Sequence, residues 1–429
     1  MQTKYLIVGN SAGGIAAAEA IREIDEEGSL TIVCEEPYPA YSRPLLSKYL
    51  TSEQGLEGIL FRPRDFYERN NILFLPGRKA LGIELERQSV YLDNGECINW
   101  ERLLLAVGGK PTLPQVKGGD KKGVFTFTSL DDAKGVAEFL SKARKAVIIG
   151  GGLIGINVSE ALVNEGVDVA VVVRRRILSA IADEEASRIV EGAMREAGVQ
   201  VIIGHTVAEI TGGEQVEGVT LDNGERISCQ LLVVAAGISP RLELASSAKL
   251  NVNKGIVVDQ YMGCNHPNVY ACGDAVEAYD FAYGDYRINP TWPNAYIGGR
   301  IAGYNMTGHA VKYLGSTMVS SVKCFGLAMI AAGVTVPPQG NGYEILTHRE
   351  GKIYQKLVLK AGVVKGMILV GAIEKAGILF RIMKDKVNVE NFKHCLLDQS
   401  FGLASLPQGL REEYMSQANK ALIRKQDDN

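Results

Sequence analysis

One pattern occurs twice in this chain, and few folds accommodate two copies of it. Gly9-Asn10-Ser11-Ala12-Gly13-Gly14 follows the apolar run Tyr5–Val8. Gly150-Gly151-Gly152-Leu153-Ile154-Gly155 follows the apolar run Ala146–Ile149. The copies stand 141 residues apart, and each opens a helical stretch rich in small residues. The first glycine of such a turn permits a sharp exit from a strand, the second admits a phosphate, and the third lets the helix pack on the strand. The helix then points its free N–H groups at the phosphates. One G-x-G-x-x-G is weak evidence, but two, each between a strand and a helix, point to two dinucleotide sites. A chain with two such sites is suited to passing electrons from one nucleotide to another.

The first unit reads as strand Tyr5–Val8, helix Ile15–Ile24 and strand Leu30–Cys34. Ser11 stands where the pattern has its second glycine. Glu35 and Glu36 end the second strand, 26 and 27 residues after Gly9. An acid there accepts hydrogen bonds from adenosine ribose hydroxyls, and Glu35 is the expected acceptor. The alternative is a solvated pair at a strand end. The second unit reads as strand Ala146–Ile149, helix Gly155–Asn164 and strand Val167–Val173.

The likeness between the copies extends further. Leu92-Asp93-Asn94-Gly95-Glu96 reappears as Leu221-Asp222-Asn223-Gly224-Glu225, each a tight hairpin turn. The run Leu103–Gly109 matches Leu231–Gly237 at essentially the same 129-residue offset as the hairpins. The chain therefore reads as a duplicated βαβ domain whose last strands end in small residues. Ala106, Val107 and Gly108 in one copy, and Gly237 in the other, let backbone approach a cofactor.

Composition excludes several classes. A chain of 429 residues holds two or three domains, and 46% hydrophobic with 22% charged residues is ordinary for a globular protein. The net charge of −3 gives no reason to expect nucleic acid or an anionic membrane as partner. No uncharged stretch reaches the roughly 18–20 residues of a membrane span. Met1–Lys4 lead directly into the first strand, leaving no room for a signal peptide, so the expected location is the cytoplasm. The seven cysteines and five histidines are dispersed, without C-x-x-C or H-x-x-H spacing, so no disulfide framework or metal site is expected.

Beyond residue 250 the pattern changes. Val269–Cys272 reads as a short strand ending in Gly273-Asp274, and Trp292-Pro293-Asn294-Ala295 opens a helix through Asn305, with Pro293 suited to a first turn. Strands follow at Tyr343–Thr347, Ile353–Leu359 and Val364–Val370, then a helix from Lys375 to about Lys386. The polar segment from Leu410 to Asn429 is helix-prone and expected at the surface or partly disordered.

With these segments together, the chain resembles the FAD-dependent pyridine nucleotide–disulfide oxidoreductases. It looks most like the subgroup without a redox disulfide, which includes rubredoxin and ferredoxin reductases and NAD(P)H oxidase-like flavoproteins. The matching residues are both glycine turns, Leu104–Gly109, Val233–Gly237, Tyr270–Asp274 and Trp292–Asn305. The resemblance implies an α/β fold with two Rossmann-like dinucleotide-binding domains, glutathione-reductase-like three-layer ββα, plus a C-terminal α+β interface domain. It implies FAD at residues 1–112 and 245–320, the nicotinamide nucleotide at 113–244, and an interface domain that dimerises at 321–429. The FAD residues it implies are Gly9, Ser11, Ala12, Gly13, Gly14, Glu35, Arg43, Lys48, Ala80, Ala106, Val107, Gly108, Gly273, Asp274, Pro293 and Asn294. For the nucleotide it implies Gly150, Gly152, Leu153, Ile154, Gly155, Arg174, Arg175, Arg176 and Gly237. The implied activity is hydride transfer from NAD(P)H to FAD, then electron release to a separate acceptor such as rubredoxin or ferredoxin. Two alternatives stay open: an FAD subunit of a larger anaerobic complex with iron–sulfur partners, and a flavoprotein whose reduction switches its assembly.

Departures from the family pattern sharpen the expectations. Tyr41-Ser42-Arg43-Pro44-Leu45-Leu46-Ser47-Lys48 replaces the C-x4-C segment of the disulfide reductases, and no single cysteine stands near Ser42. Thiol–disulfide chemistry is therefore not expected. Asn157 sits where relatives commonly carry a Glu that pairs with the lysine near the flavin, here Lys48. Lys48 and Asn157 are accordingly expected to tune the flavin. The second strand of the middle unit ends Val171-Val172-Val173, without an acid, and Arg174-Arg175-Arg176 follow. Arginines there hold a 2′-phosphate bidentately, so NADPH is expected over NADH. The alternative is a solvated basic turn, or stacking on adenine that tolerates either nucleotide.

Overall fold

A computed structural model describes residues 1–51 and 55–416 of the chain. The first glycine turn joins β1 (Gln2–Val8) to α1 (Ala12–Arg22), which returns to β2 (Leu30–Cys34). The short helix α2 (Leu46–Thr51) follows, and β3 (Cys97–Leu105) pairs parallel with β1, setting Val8 beside Leu105. The helix α3 (Leu130–Leu140) precedes the second copy. There β4 (Lys145–Ile149), α4 (Leu153–Asn164), β5 (Asp168–Val173) and β6 (Leu231–Val234) repeat the plan. The first copy builds a seven-stranded sheet with β2, β1 and β3 adjacent, and β7 (Val269–Ala271) joins it parallel to β3. The second builds a parallel five-stranded sheet in which β5, β4 and β6 are adjacent.

The central strands are fully buried and read as continuous apolar runs, as parallel strands covered on both faces must. Helix α1 begins at Ala12, three residues before the expected Ile15, because Ser11 takes the extended N-cap conformation and the helix starts directly from the turn. Likewise α4 begins at Leu153 rather than Gly155. The second strand of the first copy stops at Cys34, so Glu35 and Glu36 lie just past it. Pairing also fixes the register of the repeat. Ala106 and Ala235 occupy equivalent places, because each follows the strand residue that lies beside the end of the glycine-turn strand. That offset is the same 129 residues as the hairpins, one residue different from aligning the two leucine runs at their starts.

Helix α5 (Trp292–Met306) lies against α1. The two run parallel, and their backbones touch: a Cβ on Gly299 would stand 2.1 Å from the Gly13 carbonyl oxygen, and one on Gly303 would stand 2.5 Å from that of Ala17. The small residues at these positions are therefore a packing requirement. Outside the contact, Glu19 accepts from Arg62 and from the Tyr296 hydroxyl, and Glu23 pairs with Arg300.

The described chain divides into two units: Met1–Ala180 with Ser187–Met318, and Ile181–Ala186 with the residues from Val319 onward. Both glycine turns belong to the first. The second contains a five-stranded antiparallel sheet and α6 (Ala376–Lys384), which packs on the strand Val363–Val370. In it, Asp183 accepts from the Tyr354 hydroxyl and pairs with the buried Lys356. The strands expected at 343–347, 353–359 and 364–370 appear as Tyr343–Glu350, Ile353–Lys360 and Val363–Val370. Residues 408–416 are helical, while the rest of the expected tail helix lies outside the described residues.

Gly299→Val should destabilise the protein by roughly 3 kcal/mol through overpacking at the α1–α5 contact, measured as a fall in urea midpoint. Gly192→Ala, in the helix Glu184–Glu196 where an added Cβ meets nothing within 4 Å, should leave the midpoint unchanged or raise it.

Candidate functional site: two phosphate-binding turns

Each turn is built by backbone contact. Gly9 sits at φ +122°, and a Cβ there would stand 2.1 Å from the Ala106 carbonyl oxygen at the end of β3. Gly14 brings α1 onto the strand end, since its Cβ would stand 2.0 Å from the Gly9 carbonyl oxygen. The second copy repeats this, with Gly150 at φ +115° against the Ala235 carbonyl at 2.3 Å and Gly155 against that of Gly150 at 2.1 Å. The middle position differs: at Gly152 an added Cβ would meet no protein atom within 4 Å. That open space explains why Ser11 is accommodated at the same place in the first copy.

At both helix starts the N–H groups lack a side-chain cap. Ser11 is the N-cap of α1 but makes no capping bond, and Gly152 in α4 has no side chain to make one. Neither first turn carries an acid. Uncapped amides at the positive end of a helix suit an anion. The chemistry at both turns therefore fits the pyrophosphate of a dinucleotide, FAD included.

Around the first turn the structure gathers residues far apart in sequence. The Asn10 side chain donates to the Tyr38 carbonyl and accepts from the Tyr67 hydroxyl. Glu35 is half-exposed, and its two carboxylate oxygens meet Lys79 at 2.8 Å and Arg241 at 3.3 Å. Arg43 pairs with Glu36 and donates to the Thr128 carbonyl, while Tyr41 donates to Glu36 and accepts from the Leu130 N–H. Lys79, Arg241, Tyr41 and Thr128 carried no sequence signal, because each reaches the site by long-range packing. Ala80 is buried at the start of the strand Ala80–Glu84. Val107 and Gly108 follow β3, with Gly108 at φ +66°. Gly108 and Arg241 are also joined, since the Arg241 N–H donates to the Gly108 carbonyl at 3.0 Å.

The strand β7 delivers Gly273, at φ +81°, and Asp274 to the same end of the sheet. Gly13 lies under this segment, its Cβ position 2.7 Å from the Cys272 sulfur. Burial pushes the Asp274 carboxyl up to about 6, with Arg43 opposing the rise. Pro293 falls in the first turn of α5, and the Asn294 side chain is already spent on two backbone carbonyls, those of Asn289 and Thr317. The α2 helix, bearing the exposed Lys48, packs beside α4, which carries the half-buried Asn157.

In the second copy the arginine triplet is folded back over its glycine turn. The Leu178 N–H donates to the Gly151 carbonyl at 2.7 Å, and Gly151 sits between Val173 and Ile177, the residues that bracket the triplet. Arg174 and Arg175 are exposed and Arg176 is half-buried. Leu153 and Ile154 form the first turn of α4, and Gly237, at φ +115°, follows β6. Among the described residues no cluster of His, Cys, Asp or Glu could hold a metal, and no helix is long and apolar enough to cross a membrane.

Residues 3–317 match the model of a known family, pyridine nucleotide-disulphide oxidoreductase. The chain belongs to this family and is an oxidoreductase. It is 30% identical to the NADH-dependent phenylglyoxylate dehydrogenase subunit epsilon of Aromatoleum evansii, over 89% of this chain and 91% of that protein. It is 29% identical to a nitrite reductase [NAD(P)H] of Bacillus subtilis over 90% of this chain, which spans about half of that relative (48%). Among solved structures, a ferredoxin reductase from Rhodopseudomonas palustris superimposes with a TM-score of 0.83 at 25% identity, covering 90% of this chain and 95% of that one. The expected α/β architecture of FAD- and nucleotide-binding type is thus the fold of the family.

The raised Asp274 carboxyl makes a pH prediction. Its folded value, about 6, lies above the ordinary carboxylate value, so the folded FAD-free protein retains a proton that the unfolded chain has lost. Stability from this group is present at low pH and falls as pH rises from about 4 to 6, by roughly 2–3 kcal/mol at most. Thermal midpoints of FAD-free wild type and Asp274→Asn should therefore diverge across that window, with the variant gaining relative stability as pH rises.

Proposed function

We propose that this protein oxidises NAD(P)H through bound FAD and delivers the electrons to a separate protein carrier. The observation that carries the reading is the contrast between the two glycine turns. The first is followed by an acid, Glu35, and joined by Asp274, while the second is overlaid by three arginines tied to it through Leu178 and Gly151. FAD belongs with residues 1–112 and 245–320 and the nicotinamide nucleotide with 113–244. Residues 321–429 remain for assembly, and the proposed assembly is a homodimer, which light scattering of the purified protein would measure.

FAD, when bound, accepts a hydride from the nicotinamide and passes electrons on. The chain's own contribution is placement and electrostatics. The amides at the start of α1 hold the pyrophosphate, and the positive end of α5 favours negative charge on the ring. Lys48 adds a cation near the ring, and Asn157 lacks the carboxylate that would neutralise it. The chain has no cysteine pair near the flavin and no metal cluster among the described residues, so the electrons leave the flavin directly.

The arginine triplet favours NADPH. The kcat/KM for NADPH should exceed that for NADH, and Arg174→Gln with Arg175→Gln should cut the NADPH value by roughly tenfold or more, with NADH changed little. A clear NADH preference in the wild type would refute this assignment. Asn157→Glu should lower the flavin midpoint potential by placing a carboxylate beside Lys48, and an unchanged or higher value would remove Asn157 as a tuning residue. Reduction of the purified protein with NADPH, followed by reoxidation with rubredoxin, ferredoxin, quinone or oxygen, identifies the acceptor class.

A second reading has its own support. The match to a subunit of phenylglyoxylate dehydrogenase runs nearly end to end in both chains. The protein would then be the NAD(P)H-linked FAD subunit of a larger complex, and co-purification with an iron–sulfur protein from its native source would favour this reading.

A further inference from the structure

Asp280 is fully buried, at 0% exposure, and no ion pair reaches it among the described residues. An uncompensated buried carboxylate is costly, so its four hydrogen bonds must hold it. One oxygen accepts the N–H groups of Ala282 at 2.9 Å and Tyr283 at 3.2 Å, closing the turn that follows. The other accepts from the Asn289 side chain and the Thr317 hydroxyl, both at 3.0 Å. A carboxylate only accepts, so it can draw together two donors from segments remote in sequence.

Those two segments are the ones that fix the start of α5. The Asn294 side chain donates to the carbonyls of Asn289 and Thr317 at 3.3 and 3.1 Å, and the Thr291 N–H donates to Asn289 at 2.9 Å. Residues 289 and 317 are thus clamped between Asp280 on one side and the first turn of α5 on the other. What the clamp presents is unusual. Thr291 is the N-cap of α5, yet its hydroxyl makes no capping bond. That oxygen is buried and has no hydrogen-bond partner. Pro293 has no N–H to offer it, and the Asn294 N–H goes uncapped.

We propose that Asp280 is a positioning residue for the flavin ring, holding the first turn of α5 so that the Thr291 hydroxyl and the Asn294 N–H meet the ring edge. This rests on the FAD reading of the site given above. Asp280 itself touches no ligand and acts through Asn289, Thr317 and Asn294. The Thr291 hydroxyl donates best to a ring edge that gains negative charge on reduction, so its removal disfavours the reduced cofactor.

Two variants test this, each against its conservative control. Thr317→Val removes one arm of the clamp and should weaken FAD binding three- to tenfold, while Thr317→Ser restores it. Thr291→Val should lower the flavin midpoint potential at full FAD occupancy, and Thr291→Ser should restore it. A tenfold loss in preference for the reduced form corresponds to about 30 mV for a two-electron couple. Melting of the FAD-free protein measures any purely structural effect separately. Wild-type values for either valine variant, or a serine variant that behaves like its valine partner, would overturn the proposal. Wild-type protein that binds no FAD would instead overturn the functional reading beneath it.

Discussion

The contact on which the site depends is the crossing of α1 and α5, where backbone meets backbone at Gly13 and Gly299 and again at Ala17 and Gly303. Helices separated by ordinary side chains lie about 8–10 Å apart, and these approach more closely than that allows. The crossing lies beside the N-terminus of α1. Helix α5 begins seven residues before Gly299, so its first turn stands roughly 10 Å along its axis from the crossing at 1.5 Å per residue. Two positive helix ends are thereby set at a fixed spacing, one beside the glycine turn and one beyond it. A dinucleotide with a pyrophosphate and a large ring system needs two such points.

The duplication explains why only one copy has this arrangement. Gly9, Ser11 and Gly14 correspond to Gly150, Gly152 and Gly155, and the carbonyl contacts made by the outer glycines are nearly the same. The difference lies at Gly13, whose counterpart is Ile154. Gly13 admits a second helix against the backbone of α1, whereas a branched side chain at 154 keeps that face of α4 at ordinary distance. The second copy answers its nucleotide with a loop instead, the arginine segment tied back by Leu178 and Gly151. One ancestral unit thus serves two sites by differing at a helix face and at a strand end.

Much of this was legible in the residues. Glycine turns, hairpins and buried strands are local features, and their spacing placed both βαβ units, with element ends differing by only a few residues. The N-terminal shift of α1 and α4 arose because helices here start inside the turn, where glycine-rich sequence looks unhelical. Less legible were the partners of the site residues. Glu35 was identifiable as a strand-end acid, but Lys79 and Arg241, which flank it, come from other parts of the sheet. Asn294 was placed at the right helix start, yet its side chain serves the loops at 289 and 317, a role visible only once those loops are brought beside it.

By itself the sequence determined the two phosphate-binding turns, the absence of a cysteine pair near the flavin segment, and the exchange of an acid for arginines after the second turn. These depend on residue type at a local spacing, and backbone sterics translate them directly into structure. The tertiary structure decided which helix faces α1, which carboxylate is buried without a cation at Asp280, and which hydroxyl is left unpaired at Thr291. Those outcomes depend on segments up to nearly 300 residues apart meeting in space, and no local pattern encodes such a meeting.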